Sequence, residues 1–127
     1  MQYSPLTLAF LGDSVYEQLV RQRVVLGGNM PVGKLHRSTI QKVCAGFQSK
    51  AMETLLPVLS EEETDIYKRG RNATGATVPK HSTPQEYRRA TGLEALFGFL
   101  YLLGRHERIN EIFNIIWDET EAAVNEN

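Results

Sequence analysis

The chain has 127 residues, 42% hydrophobic and 23% charged, with a formal net charge of −1. This length fits a single domain over residues 1–127 with a real core, and the lone Cys44 excludes an intrachain disulfide and a cysteine metal cluster. The opening MQYSPLTLAF has no basic region followed by a long apolar run. No apolar stretch approaches the roughly 20 residues that span a bilayer, so a soluble, cytoplasmic protein with no membrane partner is expected.

The pattern predicts an all-α domain of about six to seven helices. Ser4-Pro5 reads as an N-cap with proline at the first helical position. Leu8, Leu11, Val15 and Leu19 then recur at helical spacing, and Gly27-Gly28-Asn29 ends the run. Pro31 opens a second helix carrying Leu35, Ile40 and Val43, and Gly46 reads as a break. A further helix runs through Ala51, Met52, Leu55 and Leu56 to Pro57. Ser60 and Glu63 form a capping-box pattern that starts a helix reaching about Arg69. Gly70 to Ser82 reads as a loop. Thr83-Pro84-Gln85-Glu86 repeats the start signal before the most apolar segment of the chain, through Leu93, Leu96, Phe97, Leu100, Tyr101 and Leu103. This helix is expected to be central, with Gly104 stopping it. Arg108 to about Ala123 gives a last amphipathic helix, and Ala122–Asn127 a frayed tail.

Charge is unevenly spread. Gln18 to Met52 holds six basic residues and no acid; Lys68 to Arg89 holds six more against Glu86 alone. The acids gather in Glu61–Asp65 and beyond Glu107. A neutral molecule can carry a basic face in this way, or the cations can simply solvate helix surfaces.

Two carboxylates stand out by their neighbours. Asp13 lies in LAFLGDSVY and Glu94 in TGLEALFGFLYLL. An acid in an apolar helix is unfavourable unless paired, hydrogen-bonded or metal-bound. Gly12 precedes Asp13, and Gly92 and Gly98 flank Glu94. Glycine inside a helix costs about 1 kcal/mol relative to alanine, which points to helices that approach closely there. Such a crossing would bring the two acids together, and paired carboxylates suit Mg²⁺. Alternatively, each acid faces solvent or pairs with an arginine. Glu17, one turn on, reads as a surface residue or a supporting partner. His36, His81 and His106 lack zinc-type spacing, and neither a nucleophile elbow nor a phosphate-cradling glycine loop is present.

The run Leu11-Gly12-Asp13-Ser14-Val15 resembles the signature helix of ribonuclease III, and Glu94-Ala95-Leu96-Phe97-Gly98 resembles that family's second acidic helix. Two departures stand out. Ala9 and Thr91 occupy positions where the family usually has further acids, a turn before the signature aspartate and three residues before the second glutamate. No double-stranded-RNA-binding domain is expected to follow. These departures, with Lys68-Arg69-Gly70-Arg71-Asn72-Ala73, Tyr87-Arg88 and Phe99-Leu100-Tyr101-Leu102, resemble the mini-ribonuclease III branch, from about Leu6 to about Trp117.

That resemblance implies a ribonuclease III-type helical fold and a Mg²⁺-dependent endoribonuclease that cuts double-stranded RNA and leaves 5′-phosphate and 3′-hydroxyl ends. Asp13 and Glu94 carry over as catalytic and metal-binding residues, while Ala9 and Thr91 leave the number of metal ions open. It further implies a homodimer, with Phe10, Leu11 and Ser14 as interface candidates, and a role in maturing the large-subunit (23S) ribosomal RNA precursor. Lys34, Arg69, Arg71, Lys80 and Arg88 are the candidates for RNA phosphate contact. The alternative is an inactive RNA-binding or ribosome-associated scaffold, against which the retention of Asp13 and Glu94 speaks.

Overall fold

Six helices, with no strand among the described residues, build the protein in a computed structural model that describes residues 3–73 and 81–125 and side chains of the last helix through Asp118. They are α1 (Pro5–Leu26), α2 (Val32–Val43), α3 (Ala45–Leu55), α4 (Glu61–Asn72), α5 (Pro84–Leu102) and α6 (His106–Asn125), with a 3₁₀ turn over Leu56–Val58. The start signals act as the sequence predicts. Ser4 Oγ accepts from the Thr7 amide at 3.1 Å. In the Ser60–Glu63 box the reciprocal bonds measure 2.8 and 3.1 Å, and in the Thr83–Glu86 box 3.0 and 3.1 Å. Each box satisfies amides that a helix start otherwise leaves open. At the far end of α5, Gly104 takes a left-handed φ of 71°, and the Gly104 and Arg105 amides return to the Tyr101 and Leu100 carbonyls.

The central position of α5 follows from its sequence. From Ala90 to Leu100 every residue except Glu94 is buried. A helix apolar on all sides must be covered on all sides, and α1, α3, α4 and α6 all pack on it. Tyr16, Phe97 and Phe113 meet edge-on in this core.

The glycines set the closest crossings. A Cβ on Gly12 would overlap the Glu94 carbonyl oxygen and lie 2.6 Å from the Glu94 carbonyl carbon and 2.8 Å from the Gly98 nitrogen. One on Gly98 would lie 2.8 Å from the Leu8 carbonyl carbon. Helices α1 and α5 therefore touch backbone to backbone. Gly92 serves a different crossing from the one expected of it: its Cβ would strike the Tyr67 ring at 2.6 Å, on α4.

Several boundaries differ from the sequence expectation. Helix α4 continues through Gly70 to Asn72, because Gly70 is buried against Gly92 and Ala95 and packing holds it helical. The break before α3 falls at Cys44, whose ψ of 154° is extended, and Gly46 lies inside the first turn of α3. Ile40 is exposed, while Thr39 is buried with its hydroxyl donating to the Leu35 carbonyl at 2.9 Å. Helix α6 starts at His106 and runs to Asn125, beyond the expected onset of fraying at Ala122. Residues 74–80, most of the expected loop, lie outside the described residues.

Candidate active site

The α1–α5 crossing decides where the two acids meet. Gly12 brings α1 against the Glu94 backbone, and Asp13 follows it on the exposed side. Glu94 occupies the one unburied position in the Ala90–Leu100 run. The two carboxyls stand within hydrogen-bonding reach. Burial, the hydrogen bond with Asp13 and the Asp13 charge push the Glu94 carboxyl up to about 9. At neutral pH the pair therefore holds a proton that a cation could replace.

Two further side chains edge this site. The Tyr16 hydroxyl donates to the Lys42 carbonyl at 2.6 Å. Its burial, followed by the neighbouring Cys44 and Glu94, raises the phenol, so Tyr16 stays protonated and ties α1 to the end of α2. Gln48, on α3, places its amide beside Glu94 and draws that carboxyl towards its charged form. Gln48 is 2% exposed, and its buried Nε2 approaches the Glu94 carboxyl without completing a hydrogen bond to it. An unmade bond at such an atom costs about 1–3 kcal/mol.

This donor set fits a hard divalent cation: two neighbouring carboxylates, exposed Asp13 and partly desolvated Glu94, that repel each other once both are ionised. Among the described residues no group of three or more His, Cys, Asp and Glu comes together, so Asp13 and Glu94 stand there as a pair. Ala9 and Thr91 are both buried, and the Thr91 hydroxyl donates to the Tyr87 carbonyl at 2.8 Å. Glu17 pairs with Arg21 at the surface, 3.4 Å away. His36 and His81 are exposed, and His106 packs edge-on against Tyr101.

Of the expected phosphate contacts, Arg71 and Arg88 come together. With Asn72, Gln85 and Arg89 they line one cleft between the end of α4 and the start of α5. Among the described residues no carboxylate lines it. The Arg71 guanidinium lies 5.7 Å over the Tyr67 ring and donates to Asn72 Oδ1 at 3.1 Å. Arg69 and Lys34 are exposed on α4 and α2 outside that cleft, and Lys80 lies outside the described residues. Sequence reasoning missed Arg89, Gln85 and Asn72, although Gln85, Arg88 and Arg89 share a helix face by their spacing. It also missed Gln48, whose signal was a polar residue in the stripe Gln48–Met52–Leu55 that otherwise faces the core. Of the interface candidates, Phe10 is 85% exposed, Leu11 packs partly into the core, and the Ser14 hydroxyl donates to the Leu11 carbonyl at 2.7 Å.

The sequence pattern of the ribonuclease III domain matches residues 6–105, a span that holds both acid-bearing helices. The chain belongs to the ribonuclease III family. Within that family it groups with proteins named Mini-ribonuclease 3. One from Symbiobacterium thermophilum is 45% identical and covers 94% of this chain and 92% of its own length. Another, from Staphylococcus aureus, is 42% identical over 89% of this chain and 86% of its own. A crystallographically solved protein of Fusobacterium nucleatum superposes with a TM-score of 0.84 at 38% identity, covering 91% of this chain and 93% of that one. The chain is thus an endoribonuclease of the ribonuclease III type, a family that acts on double-stranded RNA and generally depends on a divalent metal. No helix among the described residues is long and apolar enough to cross a membrane.

Proposed function

We propose that this ribonuclease III-type chain hydrolyses double-stranded RNA at Asp13 and Glu94, which together hold Mg²⁺. One observation carries the reading: a glycine-enforced helix crossing sets two carboxyls side by side, one of them partly desolvated. Bound there, Mg²⁺ supplies a water of lowered pKa and offsets charge developing on the scissile phosphate and leaving oxygen. Asp13 and Glu94 sit on two helices locked by backbone contact, so their separation is fixed before substrate arrives. On holding the cation, Glu94 would give up to solvent the proton it shares with Asp13. Cleavage with the 3′-oxygen as leaving group gives 5′-phosphate and 3′-hydroxyl ends.

Arg71 and Arg88 in their shared cleft, with Arg69, Lys34 and Lys80, hold the RNA by its phosphates. Duplex RNA is read mainly by shape and backbone. The working form is a homodimer with Phe10, Leu11 and Ser14 at the interface, each subunit cutting one strand. Phe10 is supported in this role by Leu6 and Tyr3, exposed four and seven residues before it. Maturation of the 23S ribosomal RNA precursor is the setting proposed for this reaction, and only the resemblance to the mini-ribonuclease III branch supports it.

The test incubates the protein with a uniform RNA duplex or single strand, with Mg²⁺ or EDTA, beside Asp13→Asn. Cutting of the duplex alone, dependent on Mg²⁺ and lost in a folded Asp13→Asn, is the expected result. A duplex that is bound but never cut would favour the RNA-binding scaffold. Equal activity in Asp13→Asn would put the site elsewhere.

A further inference from the structure

We propose that Gln48 is a positioning residue of the cation site, donating from Nε2 to one carboxylate oxygen of Glu94 and so turning the other towards the cation shared with Asp13. The inference rests on the reading of Asp13 and Glu94 as ligands. Three observations lead to it. Gln48 is the fourth residue of α3, which packs on α5, and it is fully enclosed. Its Nε2 finds no hydrogen-bond partner there. The carboxyl it stands beside is that of Glu94.

A buried amide nitrogen without a partner is rare in a packed core. Its presence makes sense if the acceptor beside it, Glu94, completes that bond in the working state. A carboxylate group offers more acceptor sites than a single cation occupies, and the Gln48 N–H is the donor beside this one. Ligands oriented by such outer partners hold metal more tightly, and losing the partner typically weakens affinity about 10–100-fold. A site with two protein acids depends more on each ligand's orientation than one with four. Gln48 touches neither RNA nor cation in this account; it acts through Glu94.

The experiment measures Mn²⁺ binding to the full chain by electron paramagnetic resonance, without RNA, for wild type, Glu94→Gln, Gln48→Met and Gln48→Glu. Methionine keeps the length of the side chain and removes the donor. Glutamate keeps the shape and carries the test if Gln48→Met loses its helical circular dichroism. The expected result is strong loss in Glu94→Gln and about 10–100-fold weaker binding in both Gln48 variants. Duplex cleavage by the variants should then recover at high metal concentration, with the KM for RNA unchanged. Wild-type affinity in Gln48→Met beside a loss in Glu94→Gln overturns the role of Gln48 alone. Tighter binding by Gln48→Glu also overturns it, because the position would then face the cation directly. Undiminished binding by Glu94→Gln overturns the ligand assignment, and the role of Gln48 with it.

Discussion

Gly12→Ala should be among the most damaging single-methyl changes in this protein. The added Cβ would lie 2.6 Å from the Glu94 carbonyl carbon, against 3.4 Å for ordinary contact, so α1 and α5 must part by at least 0.8 Å. The obstacle is backbone on both sides, Glu94 and Gly98, and cannot rotate away as a side chain could. Overpacking costs about 1–3 kcal/mol when side chains can adjust, and this site lies at the upper end. Alanine returns about 1 kcal/mol of helix propensity, leaving a net loss of about 2 kcal/mol or more. For a domain of this size that is a fall in Tm of about 6–8 °C or more. Gly33→Ala is the control. Its Cβ would meet only Arg37 Nη1, at an ordinary 3.6 Å, so Tm should hold or rise slightly. Thermal unfolding by circular dichroism compares the two, and duplex cleavage is read on the folded fraction. Because the strained carbonyl belongs to Glu94, cleavage should fall even where Gly12→Ala remains folded. A Gly12→Ala protein as stable as wild type would refute the claim that this crossing is closed by glycine.

Without metal, stability should fall as pH rises. Glu94 is raised to about 9 against an ordinary 4.5, so between those values the folded chain holds a proton that the unfolded chain has released; Tm across pH 5–9 should decline in wild type and flatten in Glu94→Gln. Arg108 binds the buried Glu63 through two 2.8 Å bonds and the Val58 carbonyl at 2.9 Å. Arg108→Ala leaves Glu63 without its cation and should cost about 3 kcal/mol in urea unfolding, at the low end for a buried pair because Arg108 is partly exposed. The double variant Arg71→Ala, Arg88→Ala should weaken duplex binding and make the log–log salt slope shallower by about one per arginine, measured by fluorescence anisotropy in EDTA; an unchanged slope removes both from the phosphate contacts. Phe10→Glu should sediment as a monomer, and an undisturbed dimer would move the interface off this face.

Local signals in the chain were read directly. Both capping boxes and the Ser4 cap depend on atoms three residues apart, so their spacing in the sequence is already their geometry. The centrality of α5 was equally visible, because a stretch with no polar face has no way to meet water. The Asp13–Glu94 pairing was legible only in part. Glycine beside each acid indicated a close crossing, and family resemblance added the roles. What failed depended on tertiary context. Gly70 looks like a helix end until Gly92 and Ala95 are seen to fill the space beside it. Ile40 sits in the apolar register of α2 yet faces outward, a pattern that periodicity alone could not resolve. Gln48 left only a faint mark, one polar residue in the buried stripe it shares with Met52 and Leu55, and which neighbour it meets there depends on how α3 packs on α5.

The two acids that this chain lacks bear on how the proposed site works. Ala9 is buried, and Thr91 is buried with its hydroxyl committed to the Tyr87 carbonyl, so neither position holds a carboxylate and the Thr91 hydroxyl is already engaged. A cation held by Asp13 and Glu94 must then complete its shell with water and with phosphate oxygens of the RNA. Cation and substrate therefore reinforce each other's binding, since each supplies ligands or charge the other lacks, and by reciprocity the apparent affinity for Mg²⁺ should rise with duplex concentration. With Asp13 and Glu94 as the cation's protein ligands, as proposed, the reactive complex would assemble chiefly on its substrate.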